Sequence, residues 1–302
     1  INKMLTNARS QNFEPARPLQ TIAEPCTEVY FWGIPFSGKT CALGAILSAA
    51  KNGLAARSMI PDNSCQGFGY MNRLSTIFSP GRICRLPGGT PVTSTYEMRF
   101  DLEDQEHKIH HVACIDLAGE LFTCMFMKDA GEQMREDQKQ ALETLHNILL
   151  ENRSNNRKIH FFVIEYGAEK RIYNGLPQAE YLNSAAAHLN SIGLFDSNTD
   201  AIYVLISKVD NASYEGSLEE HLLKYMTKNY LGFYNNLLLI CKEHGINKGR
   251  VKIVPFSIGN VCFKDYCQFD ATSATKMVDL LVRYSCFEKQ GFWQKILSKF
   301  RL

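Results

Sequence analysis

The run Gly33-Ile34-Pro35-Phe36-Ser37-Gly38-Lys39-Thr40 sets a lysine and a hydroxyl directly behind a loop bounded by glycines. Its spacing, G-x-x-x-x-G-K-[ST], is the one that wraps nucleotide phosphates. Backbone N–H groups of such a loop, with the positive end of the helix behind it, surround phosphate oxygens. Lys39 would reach the β and γ phosphates as the catalytic cation, and the Thr40 hydroxyl would bind magnesium. The expected phosphate cradle is Gly33, Phe36, Ser37, Gly38, Lys39, Thr40 and Cys41. Pro35 fixes φ within the loop and removes one backbone donor from it.

Three further short runs carry chemistry. Asp116-Leu117-Ala118-Gly119 closes an apolar run, which would bring the Asp116 carboxylate beside the phosphate loop to hold a magnesium-bound water. Gly119 would let its backbone N–H approach a γ phosphate. In Ser207-Lys208-Val209-Asp210, the Asp210 carboxylate could accept from the N1 and N2 edge of guanine, a donor pair adenine lacks. Lys208 would lay its aliphatic stem along the base. Ser257, Ile258 and Gly259 end a later apolar run and offer backbone groups to the base.

These residues need elements that hold them at one edge. Glu28 to Gly33 is rich in β-formers, and Lys39 to Lys51 has helical spacing, so the loop sits between strand and helix. Tyr96–Leu102 and Lys108–Asp116 read as a hairpin. Strands then alternate with helices: helix 132–152, strand 159–165, helix 177–192, strand 201–206, helix 218–244, strand 250–255 and helix 274–286. Strands apolar on both faces predict an α/β fold. It is a mostly parallel sheet with one antiparallel edge strand and helices on both faces. Residues 52–95, rich in Pro, Gly, Ser and Asn, read as one long functional loop.

In their order and strand positions the four motifs resemble the Ras-like small GTPase domain of the P-loop GTPases, as a divergent member. The resemblance implies a GTP/GDP switch with bound Mg2+ and two segments, 52–95 and 117–131, that respond to the γ phosphate. It also implies a threonine before the second strand in the magnesium shell. Thr90, Thr93 and Thr95 compete for that role, and counting back from the hairpin tip favours Thr93. Ser207 stands where Asn or Thr is usual. Glu120 stands where many members place the water-positioning Gln, and is the second catalytic candidate.

A formal net charge of +2, from 33 basic and 31 acidic residues, supplies no global attraction for nucleic acid. The ten cysteines form no closely spaced set of the kind that cages zinc. His110 and His111 are adjacent in a strand and so face opposite sides. The expected organisation is a polar lead-in over 1–25, the nucleotide-binding domain over 26–288 and a basic amphipathic segment over 289–302. That last segment could dock on a membrane surface or a partner. The setting expected is cytoplasmic, with residues 52–95 as the surface for an effector or regulator. The function expected is a GTP-binding switch with slow intrinsic hydrolysis. The competing readings are a P-loop ATPase or kinase, and a nucleotide-bound interaction module without hydrolysis.

Overall fold

The structure is a computed structural model that describes residues 18–263 and 265–285. Strand β1 (Thr27–Trp32) is buried along its whole length. Val29 and Phe31 enter one core layer, and Tyr30 and Trp32 enter the other. A strand apolar on both faces belongs in the middle of a covered sheet. The chain then turns through the glycine loop into α1 (Lys39–Lys51), followed by β2 (Ser58–Pro61), α2 (Phe68–Ile77) and β3 (Ile83–Arg85). The hairpin of β4 (Thr95–Glu103) and β5 (Ile109–Leu117) leads to α3 (Leu121–Asp129) and α4 (Glu136–His146). Next come β6 (Arg157–Glu165), the small hairpin β7 (Ile172–Tyr173) and β8 (Leu176–Pro177), α5 (Gln178–Ser191) and β9 (Thr199–Ser207). The described chain closes with α6 (Leu218–Asn229), α7 (Leu231–Glu243), β10 (Lys252–Phe256), β11 (Gly259–Cys262), β12 (Tyr266–Phe269) and α8 (Thr272–Tyr284).

Seven strands form the central sheet in the order β10-β9-β6-β1-β5-β4-β2. All neighbours pair in parallel except β4, which runs against both β5 and β2. The expected single antiparallel strand is therefore present, but it is not the edge. The edge is β2, from the stretch read as loop. One apolar layer lies under α1, α2 and α8, and the other under α3 to α7, which also takes up Leu19 and Ile22. The last part of the expected lead-in is thus core: Leu19 is buried, and Asn156 ties the strap down through Cys26 N–H and the Ala23 carbonyl.

Other sequence expectations also change. Residues 52–95 carry β2, α2 and β3, so this is a folded insertion rather than one long loop. Residues 121–129 form a helix inside the second expected mobile segment. The single helix expected over 218–244 breaks at Tyr230, whose φ and ψ leave the helical region, giving two helices, α6 and α7. The turn at Ser257 to Gly259 opens into the β11–β12 hairpin, which pairs with β3 in a separate small sheet. The amphipathic segment 289–302 lies outside the described residues. Among the described residues no helix is long and apolar enough to cross a membrane.

Candidate functional site

Every motif sits at the carboxyl edge of the parallel strands, where open α/β sheets bind ligands. Register explains the alignment. Phe31 of β1 is level with Asp116 of β5, and Glu165 of β6 is level with Ser207 of β9. Motifs far apart in sequence therefore end on one line.

The phosphate loop begins at Gly33, where a Cβ would press against the Val163 carbonyl at 2.6 Å, so only glycine fits. Helix α1 starts without a side-chain cap and without an acidic residue in its first turn, leaving its amides and positive end to the loop. Lys39 donates to the Gly33 carbonyl at 2.7 Å and the Ile34 carbonyl at 2.9 Å. Two of its three donors are thus spent on the loop, which fixes the direction of the third. Burial pushes its ammonium down to about 8, opposed by the nearby Asp116 carboxylate. Cys41 follows in α1, and burial pushes its thiol up to about 12, so it is inert as a thiolate. Phe36 is 77% exposed at the crown of the loop with φ 66°, a left-handed backbone that presents its ring outward.

Asp116 is fully buried beside this loop. Its Oδ2 accepts from Tyr70 Oη at 2.8 Å and from Thr90 Oγ1 at 3.1 Å, and Thr90 Oγ1 lies 3.2 Å from Thr40 Oγ1. Asp116 Oδ1 is buried with no partner, as is Ser37 Oγ in the loop itself. Burial pushes the Asp116 carboxyl above its ordinary value, while the Tyr70 hydrogen bond and the Lys39 ammonium pull it down. Two hydroxyls and an orphaned carboxylate oxygen form an all-oxygen donor set of the hard kind that suits magnesium. Thr93, the residue favoured from sequence, is exposed in the turn before β4 and joins no contact to Asp116 or Thr40. Thr90 stands there instead, because the segment after β3 reaches the loop three residues earlier than a count from the hairpin tip assumes.

Gly119 lies against the phosphate loop so closely that a Cβ would collide with Pro35 N and Ile34 C. Glu120, next in line, is turned away: its Oε1 accepts from Arg135 Nη2 and Gln138 Nε2, each at 2.8 Å. Both donors come from the start of α4.

The residues expected to meet a base gather around β9 and β10. Ser207 Oγ donates to the Ser37 carbonyl at 2.7 Å, tying this edge to the phosphate loop. Lys208 takes a left-handed backbone, φ 58°, and its Nζ pairs with Glu165 Oε1 at 2.7 Å. Arg171 forks the same carboxylate at 2.7 and 3.1 Å. Asp210 is exposed and accepts from Ser257 Oγ at 2.6 Å, and Ser257 Oγ accepts from Gly259 N–H at 3.0 Å. Asp210, Ser257 and Gly259 are therefore linked by hydrogen bonds, with Ile258 between the last two, while Lys208 is held on Glu165. Sequence reading missed Tyr70, Arg135, Gln138, Glu165 and Arg171. Of these only Tyr70 carried a signal, the helical spacing of Tyr70, Met71 and Leu74.

Strand order, a single antiparallel strand and the glycine loop between β1 and α1 give a mostly parallel α/β sheet of the Ras-like P-loop kind. No family model matches the chain, and no curated protein matches it in sequence. Among solved structures it is similar to Roco2 RocCORdC of Methanosarcina barkeri bound to GDP, at 14% identity and a TM-score of 0.35. That match covers 96% of this chain and 58% of the Roco2 chain, so this chain spans little more than half of that protein's length. It is also similar to a dimerization-deficient mutant of Toc33 from Arabidopsis thaliana, at 9% identity and a TM-score of 0.42, covering 89% of this chain and 88% of that one.

Proposed function

We propose that the chain binds GTP and GDP with magnesium and works as a nucleotide-dependent switch with slow intrinsic hydrolysis. The observation that carries the reading is the joining of two motifs: the Ser207 hydroxyl holds the Asp210 loop onto the phosphate loop at Ser37. Nucleotide phosphates and a base are thus offered two sites at a fixed separation. Lys39 neutralises phosphate charge. Thr40, Thr90 and Asp116 would hold magnesium, which when bound screens the phosphate oxygens. Asp210 accepts from guanine N1–H and N2–H, with Ser257 holding its carboxylate and Lys208 covering the base.

Slow hydrolysis is supported by Glu120, whose carboxylate is spent on Arg135 and Gln138 rather than free to orient a water. Residues 52–95 deliver both Thr90 and Tyr70 to the metal site, which supports this insertion as the surface that an effector or regulator reads.

The test is equilibrium binding of a fluorescent GDP, competed by unlabelled GTP, GDP, ATP and XDP. GTP and GDP displace the probe and ATP does not. Asp210→Asn moves preference towards XDP, because an amide donates to the xanthine O2 where a carboxylate accepts from the guanine amine. Equal competition by ATP leaves only the phosphate loop standing and turns the reading towards a P-loop ATPase.

A further inference from the structure

We infer that Tyr70 is a positioning residue for the magnesium site: its hydroxyl fixes the Asp116 carboxylate and thereby couples helix α2 to metal binding. The inference rests on the nucleotide reading above and adds a residue that the phosphate-loop motifs do not contain.

Three observations converge on it. Tyr70 Oη donates to Asp116 Oδ2 at 2.8 Å, and Thr90 Oγ1 donates to the same oxygen at 3.1 Å. Two donors on one oxygen set the carboxylate plane and leave Oδ1, buried and unpartnered, as the unclaimed acceptor. A group that orients a metal-site carboxylate in this way typically changes metal affinity by about 10- to 100-fold.

The ring is held independently of the hydroxyl. Tyr70 stacks on Tyr96 with centroids 3.9 Å apart and planes 15° apart, and Tyr96 stands directly opposite Asp116 in the β4–β5 ladder. Ring packing therefore needs only an aromatic residue. The neighbour shows the contrast: Tyr96 Oη is buried without a partner, while Tyr70 Oη is aimed at the carboxylate.

The helix carrying Tyr70 is also firmly docked. Gly67 N–H donates to the Glu97 carbonyl at 2.8 Å, and Gln66 bridges Thr95 and Glu97 with two bonds of 2.9 Å. Met71 and Leu74 enter the layer under α1. Displacing Tyr70 from Asp116 would remove one donor from Oδ2, which makes the insertion a lever on magnesium and so on nucleotide release.

The experiment follows release of N-methylanthraniloyl-GDP from the full chain as free magnesium is titrated, and again in excess EDTA. Tyr70→Phe keeps the ring and loses the donor. In magnesium the variant releases the probe faster, and the magnesium concentration that half-slows release rises about tenfold. In EDTA it releases at the wild-type rate within twofold. Tyr96→Phe leaves the magnesium curve unchanged. A Tyr70→Phe curve that superimposes on wild type overturns the inference, as does release accelerated by the same factor with and without magnesium, which marks a purely structural residue. Failure of the wild-type chain to bind the probe overturns the nucleotide reading itself, and the inference with it.

Discussion

Ser207 Oγ donates to the Ser37 carbonyl across 170 residues of sequence, and the contact is close enough that a Cβ on Gly38 would lie 3.3 Å from the Ser207 side chain. A short hydroxyl fits where a larger amide would crowd Gly38, so the serine at this position answers the geometry of the loop it touches. Ser207→Ala removes the donor and leaves a buried carbonyl unpaired, a cost of about 1–3 kcal/mol. Affinity for GDP and GTP falls together by about 10-fold, with the guanine-over-adenine preference kept. Isothermal titration with each nucleotide checks this. Unchanged GDP affinity would mean the Asp210 loop is held by other contacts.

Lys39 sets a pH dependence. In the nucleotide-free protein burial lowers its ammonium to about 8, whereas phosphate charge favours the protonated form and raises it in the complex. The complex thus holds more protons than the free protein above about pH 8. Nucleotide affinity falls as pH rises through that value, and binding there takes up a proton. Titration at pH 8.5 in buffers of different ionisation enthalpy reads the uptake directly. Lys39→Gln abolishes it along with most of the affinity, and a buffer-independent heat in the wild type would place the proton elsewhere.

Glu120 is the remaining candidate for water positioning, although Arg135 and Gln138 now hold it. If its carboxylate acts only when released, Arg135→Ala raises single-turnover GTP hydrolysis several-fold. Added to Arg135→Ala, Glu120→Ala removes that gain and returns the rate to the wild-type value, with GDP affinity within twofold of wild type. A gain that survives the loss of Glu120 removes it from the chemistry.

Much of the central architecture was legible because it rests on local chemistry. The spacing of Gly33, Gly38, Lys39 and Thr40 lies within eight residues and marks the turn from strand into helix directly. Buried parallel strands need apolar residues on both faces, so β1, β6 and β9 stood out as short continuous runs. The insertion was harder. Its Pro and Gly punctuation read as loop, and α2 is a ten-residue helix whose burial is decided by α1 and β4 rather than by its own weak pattern.

The chain's residue types and spacing thus sufficed for the loop between β1 and α1, for Asp116 at the end of β5 and Asp210 just after β9, and for the alternation of strand and helix. Each of these depends on neighbours within a few residues. Packing alone brought Thr90 rather than Thr93 against Asp116, placed Tyr70 on the same carboxylate and turned Glu120 onto Arg135. It also drew Leu19 and Ile22 of the apparent lead-in into the core. Those outcomes turn on where separate segments meet in space, and a separation of 26 residues between Thr90 and Asp116, or 46 between Tyr70 and Asp116, leaves no periodic trace in the sequence.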